Sequence, residues 1–361
     1  MFRQRKVKIF TIAFILCLFL YHTFVRPSLN LFKIRIALGL LPNDKIGVEA
    51  EILKSIIPRT NGVPTRSVIV SSWRSGSSFL ANMVNSVPGN YYHCEPLTSY
   101  GITQIRGSPN DTQAILGIKK LLQCDYTDME SYIQAINENE FMQYCNWRVY
   151  KSCEYFSKIC YQPQFLGQIC NQFPLQSMKL VRLRLKVAKQ LLDDASLNVR
   201  ILLLVRDPRG ILQSRKHEVW CLGEPECDNP KTLCSDMVAD YHEAVELAKN
   251  YPITFKVIRY EDLSLSPFDQ SKDILQFYGR SFDANVEDFI KTFTKTSDWR
   301  SNKFAQDSNS IPFKWIKKLT FDEIQKIQES CSEAMKLWGY RKLSKDNDVD
   351  NFNPIINFLK F

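Results

Sequence analysis

Residues 67–87 show two successive patterns of hydrophobic and polar positions. Val68, Ile69 and Val70 form a β-branched apolar run, which predicts a buried strand. The next apolar positions fall at helical spacing and are Phe79, Leu80, Met83, Val84 and Val87. Pro88 and Gly89 then end the helix. The pattern therefore predicts a strand, a short polar loop and an amphipathic helix.

The loop between this strand and helix is suited to binding an anion. Its residues are Ser72, Trp73, Arg74, Ser75, Gly76, Ser77 and Ser78. A small, hydroxyl-rich loop before a helix directs backbone N–H groups and the positive end of the helix dipole to one point. Arg74 adds a planar fork of donors that fits phosphate or sulfate. The alternative is an ordinary serine-capped turn, and the Walker phosphate loop does not match because no lysine follows Gly76.

A second strand-to-helix turn follows the apolar run Val199–Val205. That run is typical of a central parallel strand covered on both faces. The turn and the start of its helix comprise Arg206, Asp207, Pro208, Arg209, Gly210, Ile211, Leu212, Gln213 and Ser214. Arg206 and Ser214 are candidates for holding a second anion at the same edge of the sheet. The alternative is that Arg206 and Asp207 form a surface ion pair.

The remaining patterns complete a βαβ rhythm. They predict strands at Met178–Val181 and Thr254–Arg259, and helices at Thr127–Phe141, Lys186–Asp194 and Phe321–Trp338. The last helix should begin with a capping box formed by Thr320 and Glu323. We therefore predict a single α/β domain with insertions.

The N-terminus predicts a membrane anchor. Ile9–Val25 is uncharged, mainly apolar and preceded by the basic segment Met1–Lys8, and no small-residue cleavage site follows. We interpret 9–25 as a transmembrane signal anchor, with 1–8 in the cytosol and the rest in the lumen. A cleaved signal peptide is the alternative. The predicted organisation continues with a luminal stem at 26–65, a catalytic domain at 66–345 with a cysteine-rich insertion at 144–171, and a C-terminal tail at 346–361.

Composition narrows the compartment and the ligand class. The net charge of +9 favours anionic ligands, and without an arginine-rich run or an RNA-reading motif we predict no nucleic-acid partner. Ten of the eleven cysteines follow the anchor, which indicates disulfides in an oxidising compartment. Zinc is the alternative for four of them, Cys145, Cys153, Cys160 and Cys170, although they form no C-x-x-C pair. Asn110 begins an N-glycosylation sequon.

Taken together, these motifs resemble a known family. The segments are SSWRSGSSF at 71–79, HCEPL at 93–97, MKLVR at 178–182, LLLVRDPRGILQSR at 202–215, RYEDL at 259–263, and Trp315, Cys331 and LWGY at 337–340. They are similar to the Golgi carbohydrate sulfotransferases, in the branch that sulfates the 6-hydroxyl of GlcNAc, Gal or GalNAc. The resemblance covers roughly residues 67–342.

The resemblance implies a fold, a donor and a set of roles. The fold would be the P-loop-NTPase-like parallel sheet flanked by helices, and the donor would be 3′-phosphoadenosine 5′-phosphosulfate (PAPS) without a metal. Residues 72–78 would hold the 5′-phosphosulfate, with Arg74 stabilising the leaving oxygen, while Arg206 and Ser214 would bind the 3′-phosphate. Glu95 is the leading candidate for general base and His93 a weaker one. The alternative for Glu95 is a structural carboxylate that pairs with Arg74 or caps a backbone group.

The resemblance also implies partners, bridges and a location. It predicts a disulfide between Cys234 and Cys331, a glycan or glycoprotein acceptor, the Golgi membrane as the location, and a homodimer as one oligomeric state to consider. The chain departs from the family around 220–233, where Cys221 and Cys227 are expected to close a local loop. That departure leaves the acceptor sugar open.

Two other functions remain to be weighed against sulfate transfer. One is another nucleotide-dependent transferase or kinase, which the missing Walker lysine and the lack of a recognisable metal-binding acidic motif disfavour. The other is an inactive, membrane-anchored glycan-binding protein, which the intact loop residues disfavour.

Overall fold

The computed structural model of the chain describes residues 64–295, 310–345, 347 and 349–356. The predicted cytosolic tail, the anchor at 9–25 and almost all of the stem lie outside these residues. Within the described part of the chain, no helix is both long and apolar enough to cross a membrane.

A five-stranded sheet forms the centre of the fold. Its strands are β1 (Thr65–Val70), β2 (Asn90–His93), β3 (Leu175–Leu180), β4 (Val199–Val205) and β5 (Phe255–Arg259). The order across the sheet is β2-β3-β1-β4-β5, and every neighbouring pair is parallel. All carboxyl ends therefore lie at one edge, where ligands bind in open α/β sheets.

Sixteen α-helices surround this sheet in the described residues. They are α1 (Ser77–Asn85), α2 (Asp111–Leu122), α3 (Glu130–Glu138), α4 (Glu140–Cys145), α5 (Trp147–Phe156), α6 (Pro163–Cys170), α7 (Leu185–Leu192), α8 (Pro208–Arg215), α9 (Pro225–Asp228), α10 (Pro230–Asn250), α11 (Tyr260–Leu265), α12 (Pro267–Phe277), α13 (Ala284–Lys295), α14 (Trp315–Lys318), α15 (Phe321–Ser330) and α16 (Ser332–Leu337). Every residue of β1 is buried, as expected for a parallel strand with both faces covered. The predicted parallel α/β sheet flanked by helices is confirmed.

Two predicted helices are each divided in the structure. The predicted helix 127–141 consists of α3 and α4, separated by Asn139, whose extended backbone and side-chain bond to the Met142 amide begin a new helix. The predicted helix 321–338 consists of α15 and α16, separated at Cys331. The capping box of Thr320 and Glu323 is confirmed.

Strand β3 begins earlier than the predicted Met178–Val181. Gln176 and Ser177 are polar but fully enclosed, and they pair with β1 on one side and β2 on the other. The pattern of apolar positions did not predict this part of the strand, because Gln176 and Ser177 are polar.

Five disulfides tie the loops to this framework. They are Cys94–Cys145, Cys124–Cys170, Cys153–Cys160, Cys221–Cys227 and Cys234–Cys331. The two predicted bridges are confirmed, and the four cysteines considered for zinc are disulfide-bonded instead. The cysteine-rich insertion also reaches the main core, because Leu166 is completely buried there.

Candidate active site

The two predicted anion-binding turns lie side by side at the carboxyl edge of the sheet. One follows β1 and leads into α1, and the other follows the adjacent strand β4 and leads into α8. Arg206 Nη1 donates a hydrogen bond to the Arg74 carbonyl oxygen at 2.8 Å. Arg74 Nε in turn donates to Ser214 Oγ at 3.0 Å. Residues separated by more than 130 positions in the sequence therefore form one site.

The backbone of the first turn, residues 72–78 with the start of α1, is shaped for close approach. Arg74 and Gly76 both have positive φ values, 67° and 87°. A Cβ atom at Gly76 would lie 2.2 Å from Tyr260 Cδ2, so only glycine fits against that ring. Gly76 is also the N-cap of α1 and has no side chain to cap the first-turn amides. The Phe79 amide donates to the Gly76 carbonyl oxygen at 3.2 Å, which leaves the amides of Ser77 and Ser78 at the first two helical positions available to an anion.

Arg74 is the most exposed cation of the site. Its side chain is 43% exposed, and Nη1 lies 3.0 Å from Glu218 Oε1. Glu218 belongs to the segment that follows α8. Because its carboxylate pairs with Arg74, it would compete with an incoming anion for the Arg74 guanidinium.

Arg206 is held between aromatic and backbone groups. Its guanidinium lies over the Tyr260 ring at 4.6 Å, and its Nε is buried without a hydrogen-bond partner among the residues that the structure describes. A Cβ at Gly210 would approach that Nε to 3.1 Å, so the glycine leaves room for the arginine. A buried donor without a protein acceptor is costly unless something else binds it.

Several residues of the second turn face the interior instead of the site. Asp207 and Arg209 are completely buried, and their side chains pair at 2.7 Å. Arg209 also donates to Gln328 Oε1 and stacks over the Trp315 ring at 4.0 Å. Ile211 and Leu212 belong to the hydrophobic core. Because these four side chains are buried, they support the turn from the interior and do not face the anion site.

Arg215 has a structural role that the sequence analysis did not assign. It is 2% exposed and donates from Nε and Nη2 to the Trp73 carbonyl oxygen at 3.2 and 3.0 Å. It also donates to the Cys227 carbonyl oxygen. Burial lowers its pKa to about 9. Its position directly after Ser214 in the second motif was the only signal for it.

Glu95 lies at the carboxyl end of β2, beside the first turn. Its carboxylate pairs with Lys179 and Arg182, each at 2.7 Å, and not with Arg74. Burial acts to raise its pKa, but the two cations outweigh burial and hold the pKa below the ordinary value. Lys179 Nζ also lies 3.4 Å from Ser78 Oγ, which links Glu95 to the first turn. Glu95 is therefore an ionised carboxylate next to the anion site.

His93 is enclosed among aromatic rings away from this site. Its ring lies 5.0 Å from that of Tyr91 and 6.4 Å from that of Tyr126. Burial lowers its pKa to about 3, so it is neutral at physiological pH. Full burial separates it from any acceptor hydroxyl.

Glu261 supports the second turn from below. One oxygen accepts from the Asp207 amide at 3.0 Å, and the other accepts from the Tyr340 hydroxyl at 2.9 Å. Burial, together with the nearby Asp207 carboxylate, raises its pKa to about 7. Its neighbour Asp262 pairs with Arg259. Both acidic residues of the RYEDL segment therefore have structural roles.

Known proteins match most of the chain. The family described as "Sulfotransferase domain" matches residues 64–339. Carbohydrate sulfotransferase 5 of Mus musculus is 27% identical over 331 residues, covering 80% of this chain and 84% of the relative. Carbohydrate sulfotransferase 6 of Homo sapiens is 26% identical over 326 residues, covering 79% and 82%.

A similar solved structure is the sulfotransferase domain of a Synechococcus olefin synthase. It is 18% identical, with a TM-score of 0.42, and the match covers 74% of this chain and 94% of that domain. Because that TM-score is below 0.5, the assignment rests on the family match and the relatives. The family match spans most of the chain and contains both anion-binding turns. The chain belongs to the sulfotransferase family.

Proposed function

We propose that this enzyme transfers a sulfuryl group from PAPS to a hydroxyl of a carbohydrate. The observation that carries the proposal is the contact between the two turns, in which Arg206 bonds to the carbonyl of Arg74. Adjacent anion sites suit a donor with a phosphosulfate at one end and a phosphate at the other. The curated relatives named above are carbohydrate sulfotransferases, which supports a sugar acceptor.

The first turn would hold the 5′-phosphosulfate of the donor. The first-turn amides of α1 and the hydroxyls around Gly76 supply neutral donors, and Arg74 supplies a full charge. Charge develops on the bridging phosphate oxygen as the sulfur leaves it. Donors that are already oriented toward that oxygen lower the barrier without reorganising during the reaction.

The second turn would recognise the 3′-phosphate. The buried Nε of Arg206 has no acceptor within the described part of the chain, and Ser214 lies at the far end of α8, where it accepts a hydrogen bond from Arg74. A phosphate here would satisfy the buried donor of Arg206. The 3′-phosphate distinguishes PAPS from ATP.

Glu95 would take the proton of the acceptor hydroxyl. The acceptor oxygen attacks sulfur in line, forming the new S–O bond, and the electron pair of the broken S–O bond goes to the leaving phosphate. The hydroxyl proton goes to the Glu95 carboxylate. Lys179 lies between Glu95 and Ser78 and positions the carboxylate beside the reacting group.

The finer assignments follow the resemblance and the distribution of cysteines. We propose the 6-hydroxyl of GlcNAc, Gal or GalNAc as the acceptor position and the Golgi lumen as the compartment. Five disulfides support an oxidising compartment. Anchoring by 9–25, a glycan on Asn110 and a homodimer stay predictions.

A transfer assay tests the proposal. The full-length chain in detergent is incubated with radiolabelled PAPS and desulfated keratan-type, chondroitin-type and N-glycan acceptors. We expect label on at least one glycan, and a fall of about 10²–10³-fold in Arg74→Ala. Arg341→Ala removes an exposed arginine outside both turns and should leave transfer unchanged. Full activity in Arg74→Ala, or no transfer to any glycan, would refute the assignment.

A further inference from the structure

A disulfide-closed loop lies against the first turn. We call residues 216–229 the bridge loop, since Cys221–Cys227 closes it. Both cysteines are completely buried and pack with Trp73 and Val181 in a small cluster of their own. Glu218 of this loop pairs with Arg74, and Arg215 bonds to the carbonyl oxygens of both Trp73 and Cys227. The bridge loop is therefore fixed to the donor-binding turn.

The bridge loop exposes apolar side chains despite this firm attachment. Val219 is 87% exposed, Trp220 is 41% exposed and Leu222 is 55% exposed. Exposed apolar side chains grouped beside a functional site indicate a binding surface.

Trp220 is oriented by its neighbours. Its Nε1 donates to Glu218 Oε2 at 2.8 Å, and its ring meets the Trp73 ring edge to face at 6.0 Å. An aromatic side chain held in this way presents its ring with little loss of conformational entropy on binding. A Trp whose only task was packing would be covered more fully.

Trp220 is linked by side-chain contacts to the donor-binding turn and to Glu95. Trp73 lies in the donor-binding turn, and Arg182 stacks over the same Trp73 ring at 5.6 Å. Arg182 bonds to Glu95, the proposed base. Trp220 therefore contacts a residue of the donor-binding turn, and that residue is connected through Arg182 to Glu95.

We propose that Trp220 binds the acceptor glycan by stacking its exposed ring on the C–H face of a pyranose. The inference rests on the proposed function and assigns the acceptor specificity to the bridge loop. A pyranose fits because one face carries C–H groups that match the negative face of an aromatic ring, while its hydroxyls need polar partners. Glu218, which accepts a hydrogen bond from Trp220 Nε1, is such a polar group beside the ring.

The test uses steady-state kinetics of sulfate transfer by the full-length chain in detergent. Trp220→Ala should raise the KM for a free oligosaccharide acceptor about 5–10-fold while the donor KM and kcat stay within about twofold, the size typical of a lost aromatic contact. Trp220→Phe should recover most of the loss. Ile253→Ala, which removes an exposed apolar side chain outside the bridge loop, should leave the acceptor KM unchanged.

Three results would overturn the assignment to Trp220. The first is an unchanged acceptor KM in Trp220→Ala. The second is an equal rise in donor KM, since it would mean that Trp220 only supports Trp73. A loss seen with intact glycoprotein but not with free oligosaccharide would indicate a protein-docking surface and would also overturn it.

Failure of the proposed function would be visible separately. If the unaltered chain transferred sulfate to no glycan, the proposed function would fail, and binding of the same oligosaccharides by saturation-transfer NMR would then decide the role of Trp220. Binding that is lost in Trp220→Ala and recovered in Trp220→Phe would support the sugar-binding role, and binding that is unchanged would overturn it.

Discussion

Gly76 is the residue with the tightest steric constraint in the first turn. Its φ of 87° is left-handed, and a Cβ would meet the Tyr260 ring at 2.2 Å. Gly223 also has a left-handed φ, 81°, but no atom of the described residues lies within 4 Å of its Cβ position. Alanine substitutions at the two glycines therefore distinguish the energetic cost of the left-handed backbone from the cost of the clash with Tyr260.

We predict that Gly76→Ala destabilises the chain more than Gly223→Ala does. The control should lose about 1–2 kcal/mol, the cost of a left-handed non-glycine residue. Gly76→Ala should lose more, because Tyr260 must also move, and with it the ring under Arg206. Thermal unfolding of both variants measures the difference. Equal losses would show that the contact with Tyr260 is unimportant.

Glu261 predicts a pH dependence of stability. Its folded-state pKa of about 7 lies above the ordinary value of 4.5, so the folded chain binds this proton more tightly than the unfolded chain. The stabilisation of the folded chain by protonated Glu261 is therefore fully present below about pH 4.5 and is lost as the pH rises through about 7.

Glu261→Gln tests this dependence, because it keeps the shape of the side chain and removes the titration. Between pH 4.5 and 7 the unaltered chain should lose up to about 3 kcal/mol relative to the variant. Chemical unfolding at several pH values gives the difference between the two curves. Parallel curves would contradict the raised pKa.

The bridge loop is an element that affects donor binding as well. Glu218 competes with an incoming anion for Arg74, and its negative charge repels the donor. We predict that Glu218→Gln tightens donor binding about 2–5-fold, a modest effect because Arg74 is 43% exposed. Calorimetry with adenosine 3′,5′-bisphosphate measures it, with Glu224→Gln as a control for charge alone. An equal effect in the control would assign the change to the general field of the protein.

The elements that the sequence predicted best are those in which one local signal dominates. Val199–Val205 has the predicted bounds because its residues are almost all apolar, and the capping box at Thr320 begins α15 where expected. The divisions at Asn139 and Cys331 were missed because one break lies at a side-chain cap and the other at a cysteine whose disulfide partner is distant in sequence. The spacing of apolar residues predicts neither the cap nor the disulfide.

The candidate site shows the same limit. The motif residues Arg74, Arg206 and Ser214 were identified from strand-to-helix turns, which are local. The partners of Glu95 and the contact of Glu218 with Arg74 come from other elements, so only the folded chain reveals them. The task of Arg215 depends on the course of the bridge loop, which no local pattern describes.

At the scale of the whole molecule, the disulfides should differ in their contribution to stability. Cys234–Cys331 closes a loop of 97 residues, whereas Cys153–Cys160 closes one of 7. Chain entropy alone gives about 4.7 kcal/mol for the long loop and about 2.4 kcal/mol for the short one.

Replacing both cysteines of each pair by serine tests this difference. We expect the Cys234→Ser, Cys331→Ser double variant to unfold at the lower temperature of the two. A larger loss in the Cys153→Ser, Cys160→Ser variant would show that native contacts, and not loop closure, set the order.

The central claim is that two turns bind the two charged ends of one nucleotide. The most direct measurement compares the affinities of the full-length chain for adenosine 3′,5′-bisphosphate and for adenosine 5′-monophosphate, which lacks the 3′-phosphate. One charged hydrogen-bonded contact contributes about 1.5–3 kcal/mol, so the bisphosphate should bind at least about tenfold more tightly.

Two variants assign the phosphates to the turns. Arg206→Ala should remove the preference for the bisphosphate, and Arg74→Ala should weaken both ligands by a similar factor and leave the preference intact. If Arg206→Ala kept the full preference while remaining folded, the second turn would not hold the 3′-phosphate and the account would be wrong.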